Sequence, residues 1–188
     1  MAEKERRPAQ FVGVTTYQDP KGRFSVRVPT DWLQLALVEQ EGAMFRPEPE
    51  DAHTYLMAWV ETLEAPVVAG DLADLREGVS DGLAQLVDVQ IAAESELVLG
   101  NLIRFERVFT CREDGATRKR KLWMLYVDKY LIALTWQGAT PEDYQHWLAM
   151  ANYSFATFTL PHWLWFASDP EMDEFRRSVL EGREPPTP

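Results

Sequence analysis

Few residues in this 188-residue chain combine the types and spacing that chemistry requires. The three histidines, His53, His146 and His162, stand far apart, and no His-Glu-x-x-His pattern places two imidazoles on one helix face around zinc. The single cysteine, Cys111, falls in a strand-like run followed by charged residues, with no adjacent base to make it a thiolate. No Gly-x-Ser-x-Gly elbow is present, and the ten glycines are scattered rather than gathered into a loop that could cradle phosphate. Glu94 with Glu96, and Glu48 and Glu50 with Asp51, would offer oxygens to a hard cation. Neither group has the spacing of an EF-hand, and a solvated acidic face accounts for both. The expectation is no catalytic set, no metal site and no cofactor.

Two clusters have the chemistry of recognition instead. Arg118, Lys119, Arg120 and Lys121 form the one basic run beyond the N-terminal segment. On a strand, alternate members point to opposite faces, so the run serves either as a hairpin end that discourages edge pairing or as a dock for an acidic partner. In "PHWLWF", Pro161 to Phe166, four large apolar residues stand in a row. They either dock the C-terminal segment onto the rest of the chain or present an anchor to another one, because Trp is favoured at interface hot spots. The candidate partner contacts are Trp163, Trp165, Phe166, Arg118 and Arg120.

Composition narrows the classes of partner. The formal net charge of −11 opposes nucleic-acid phosphate and anionic lipid surfaces, so neither nucleic acid nor a membrane is expected. With 46% apolar residues the chain can bury a sizeable core, and one cysteine makes no internal disulfide. The N-terminal "MAEKERRPAQ" lacks the apolar stretch of a signal peptide and a lipoprotein cysteine, so a cytoplasmic protein is expected.

The elements that must position these residues follow from periodicity. "RFSVRVP" alternates, with Phe24, Val26 and Val28 on one side, after a turn of Asp19, Pro20, Lys21 and Gly22. Short strands follow in "WLQLALVE", with Leu33, Leu35 and Leu37 on one side, in "GAMFRPEP" and in "TYLMAWVETL". Leu72, Leu75, Val79, Leu83 and Leu86 recur at helical spacing. Gly78 and Gly82 in that helix suggest close packing against a neighbour. "ESELVLG" and "NLIRFERVFTCRED" read as a hairpin through Gly100-Asn101, followed by "TRKRKLWMLYVD" and "YLIALTWQG". The last two are apolar on both sides, which predicts a central sheet covered on both faces. A second helix starts at the cap Thr140 and runs through "NYSF", and a third starts at Ser168 with a capping box to Glu171. Met172, Phe175, Val179 and Leu180 form the apolar side of the third helix.

The phrase "YQDPKGRFSVRVPTDW", the turn-flanked "LVLGNLIRFERVF" and the terminal helix with "YSF" resemble the PsbP-like family over residues 11–158. That superfamily includes DcrB-like proteins and a Ran-binding import factor. The resemblance implies an α+β fold, an α/β/α sandwich around a central, mostly antiparallel sheet flanked by helices. It also implies binding or assembly rather than catalysis. The opening phrase is then how the fold begins, not a catalytic signature. The segment 159–182 reads as a C-terminal helical extension, and 1–10 and 183–188 as disordered tails. The expected function is a non-enzymatic, chaperone-like protein-binding module that meets a protein partner or associates with itself, including as a homodimer through the extension. Met44, Met57 and Trp59 would supply an adaptable apolar surface. The runner-up is a small-molecule or lipid-binding domain with an aromatic-lined pocket.

Overall fold

Asp19 shows why the opening phrase starts the fold. In the computed structural model, which describes residues 7–182, its carboxylate takes the Arg23 guanidinium in a two-point fork at 2.8 Å and 2.8 Å. It also accepts the backbone N–H groups of Lys21 and Arg23 at 3.1 Å. Gly22 supplies the left-handed residue of this turn, at φ +67°. Both charged side chains are buried, and Arg23 reaches on to Glu41 at 2.5 Å. An ion pair with this geometry is worth keeping intact in a low dielectric, because losing one partner strands the other.

The turn joins β1 (Val14–Gln18) to β2 (Ser25–Pro29), a two-stranded antiparallel hairpin. Seven further strands make one sheet: β3 (Leu33–Ala36), β4 (Glu41–Arg46), β5 (Tyr55–Thr62), β6 (Val87–Leu99), β7 (Leu102–Glu113), β8 (Ala116–Val127) and β9 (Tyr130–Gly138). Their order is β3-β4-β5-β9-β8-β7-β6 and every pairing is antiparallel. The helices are α1 (Leu72–Ala84), α2 (Pro141–His146), α3 (Leu148–Ala156), α4 (His162–Ser168) and α5 (Pro170–Leu180).

The sheet carries a core on each face, as its doubly apolar strands β8 and β9 require. On one face Phe24, just before β2, and Val26 and Val28 of β2 pack with Leu56, Ile132, Leu134 and Trp136 and with Met150, Ala151 and Phe155 of α3. Trp32, which follows the opening strand, stacks on Trp136 with ring centroids 5.7 Å apart. On the other face, Val79 and Leu83 of α1 meet Ile103, Phe105, Phe109 and Tyr126. The chain is therefore α+β, with a large antiparallel sheet between two layers.

Several local expectations change. β3 sits at the sheet edge, so Leu33 is exposed rather than inward. β6 begins at Val87, seven residues before the apolar alternation suggested, with register shifts that break its period. The helix after Thr140 divides at Trp147, whose ψ of 3° leaves the helical range. The capping box at Ser168 does not form. Asp169 is the cap of α5, accepting the N–H groups of Glu171 and Met172, while the Ser168 hydroxyl donates to the Trp165 carbonyl. Residues 1–6 and 183–188, both read as tails, lie outside the described residues.

Candidate functional site

The candidate chemistry of the histidines and the thiol is placed plainly. His53 and His162 are exposed, and His146 Nε2 lies 2.8 Å from the Arg7 carbonyl. Cys111 is a buried free thiol, and burial pushes its pKa up, away from nucleophilic duty. Among the described residues no group of three or more His, Cys, Asp or Glu is placed to hold a metal ion.

The basic run divides between the two faces of β8. Lys119 lies over the Tyr144 ring, and Lys121 lies over Phe155 and 3.4 Å from Glu106. On the opposite face Arg118 is buried, donates to the Ala139 carbonyl at 2.5 Å and lies 4.0 Å from Glu113. Arg120 donates to Glu113 at 2.7 Å and to the Gln137 side chain. These cations are held largely within the chain.

That arrangement frames a cleft. A cavity of about 280 Å³ opens between α1 and the sheet. Its roof is Gly78, Val79, Gly82 and Leu83, and its floor is Met57, Phe109, Leu122 and Met124. Gly78 and Gly82 do not pack closely against anything: a Cβ at either position meets no atom within 4 Å. The glycine pair thins the helix over open space. The polar groups gather at one end. Tyr55, Gln137 and Arg120 are direct cross-strand partners in one row over β5, β9 and β8, and Met57, Thr135 and Leu122 form the next row. Burial, more than its charged neighbours, raises the Tyr55 pKa, so its phenol stays a proton donor.

The C-terminal aromatic segment folds as α4. Leu164 is fully buried in the larger core, and Trp163 touches Tyr130 edge-on with centroids 6.1 Å apart. Trp163 and Trp165 stay 39% and 43% exposed on either side of that anchor. The Phe166 side chain lies outside the described residues. Trp165 shares a hollow with Leu99, where the β6–β7 turn meets the α4–α5 junction. There Asn101 N–H donates to the Ser168 carbonyl at 2.5 Å. The expected apolar side of α5 is uncovered, with Met172, Phe175, Val179 and Leu180 all exposed.

The sequence singled out Trp165 and Arg120 as partner contacts and did not anticipate the cleft, which Arg120 lines. The Gly78/Gly82 spacing was its one signal, and that spacing alone does not separate close packing from open space.

Hairpin, seven-stranded antiparallel sheet and flanking helices together are the PsbP-like fold. The solution structure of cyanobacterial PsbP (CyanoP) from Synechocystis matches with a TM-score of 0.58 at 11% identity, over 80% of this chain and 95% of that one. LpqN, involved in cell envelope biogenesis of Mycobacterium tuberculosis, matches at 0.57 and 16% identity, over 79% and 91%. A Pseudomonas aeruginosa protein of unknown function, described as a putative regulator, matches at 0.53 and 11% identity, over 79% and 96%. At such identities the likeness is one of fold. No family model matches the chain, and no curated protein matches it by sequence. Among the described residues, no helix is long and apolar enough to cross a membrane.

Proposed function

We propose that this chain is a non-catalytic protein-binding module that meets its partner through the surface around Trp165. The observation that carries this reading is the placement of α4. Leu164 is locked into the core, so Trp163 and Trp165 are held outward without further ordering on binding, which lowers the entropic cost of association. Leu99, in the same hollow as Trp165, extends the apolar surface. With a net charge of −11, the complementary partner presents apolar side chains flanked by Lys or Arg.

Native mass spectrometry of the protein purified from its host tests this. The expected result is a co-purifying polypeptide that W165A loses, with affinity down by roughly 30-fold or more for a hot-spot tryptophan. A polypeptide retained in full by both W165A and L99A, or a chain that carries no polypeptide at all, overturns it. The cleft under α1 favours a second reading, a domain that holds a small apolar ligand. The lining differs from an aromatic-rich pocket: methionine and leucine dominate, with Phe109 and Tyr55 its aromatic members.

A further inference from the structure

Building on the second reading, we infer that the cleft between α1 and the sheet is a site for a single-chain anionic amphiphile, with its chain over Met57, Leu122 and Met124 and its head at Arg120 and Tyr55.

Size sets the first limit. An apolar cavity of roughly 150 Å³ holds benzene. The 280 Å³ here takes one short hydrocarbon chain and excludes a two-chain lipid. The lining suits that occupant, because methionine adapts its unbranched, polarisable side chain to flexible apolar shapes. Gly78 and Gly82 leave room along the roof that any larger residue would fill.

Polarity sets the direction. The sheet register grades the floor from the row of Tyr55, Gln137 and Arg120, through Met57, Thr135 and Leu122, to Met124. An occupant that is polar at one end and apolar at the other matches this gradient in one orientation only.

Charge sets the sign of the head. Arg118 and Arg120 converge on one carboxylate, Glu113, so the cluster holds one cation more than its partner neutralises. The Arg118 Nε is buried and makes no hydrogen bond. Arg120 lines the cleft itself and is partly open to solvent. A carboxylate there gains charge-assisted bonds from guanidinium and a hydrogen bond from the Tyr55 phenol. A cationic head meets like charge, and a neutral one forgoes the charged contact.

The full-length chain titrated with decanoate below its micellar concentration, read by native mass spectrometry and calorimetry, tests the inference. Expected are one decanoate per chain and binding of decanol weaker by roughly tenfold, the scale of a charge-assisted contact. A G78A/G82L double variant, whose added side chains enter open space, is expected to melt no lower than the parent and to lose the decanoate. Decanol bound as tightly as decanoate overturns the anionic head and leaves the apolar pocket standing. Failure of both probes to saturate at one per chain overturns the pocket as well. Unchanged decanoate binding by the filled variant overturns its location.

Discussion

Asp19 illustrates how one carboxylate holds a fold opening together. Burial pushes its pKa up, but hydrogen bonds from Arg23 outweigh that and hold it below the ordinary carboxylate range. The sign of the pH effect follows. A depressed native pKa stabilises the fold fully above the unfolded value of about 3.9 and loses that contribution as pH falls through the native one. D19N removes the partner of a buried guanidinium, for which about 3–5 kcal/mol is typical. Glu41 still pairs with Arg23, so the lower end of that range is expected. Urea unfolding near neutral pH should show this loss, and the variant's stability should decline less than the parent's between about pH 5 and pH 2. An unchanged midpoint would mean that the pair is dispensable. Asp19, Gly22 and Phe24 were legible as a turn and a strand because turn chemistry is local. That Asp19 binds the buried Arg23 was not, since a guanidinium at the edge of a turn reads as surface.

At the scale of elements, type was easier to read than ends or partners. β8 and β9 were legible as doubly covered strands because both alternating sets are apolar, and all of Leu131 to Trp136 is buried. The break at Trp147 was not legible: helical periodicity continues across it, and the buried Trp147 ring packs edge-on against Trp32, a contact from a distant part of the chain. Met172, Phe175, Val179 and Leu180 recur at helical spacing, but periodicity does not say whether anything covers them, and all four are exposed. Gly100 is the point where one element positions another. It has φ +58°, and a Cβ there would sit 1.9 Å from the Ser168 carbonyl oxygen. G100A should therefore combine left-handed strain of about 1 kcal/mol with displacement of the α4–α5 junction. Limited proteolysis should cut residues 169–182 faster in the variant while the sheet stays protected. Equal cleavage rates would show that the junction is not held by this contact.

For the molecule as a whole, the two faces of the sheet are unequally anchored. One carries α2, α3, α4 and the β1–β2 hairpin, all contributing to a single large core. The other is covered by α1, whose fully buried residues are only Val79 and Leu83, worth about 1.5–3 kcal/mol each on burial. This asymmetry was not readable beforehand. It depends on β5 lying beside β9, strands far apart in sequence whose pairing aligns Tyr55 with Gln137 and so creates the row beneath α1. A layer that buries only two α1 residues outright, with Leu72 and Leu75 half-covered, and that lies over a cleft and is weakened by two glycines, should open locally well below the free energy of global unfolding. Hydrogen exchange should then show the α1 amides exchanging at least about tenfold faster than those of β7, β8 and β9. Filling the cleft should slow α1 selectively, because a ligand that binds only the closed layer stabilises that layer and not the sheet. Uniform exchange across α1 and the central strands would instead mean that the two layers and the sheet unfold as one unit, with the cleft a rigid feature rather than the mouth of a movable one.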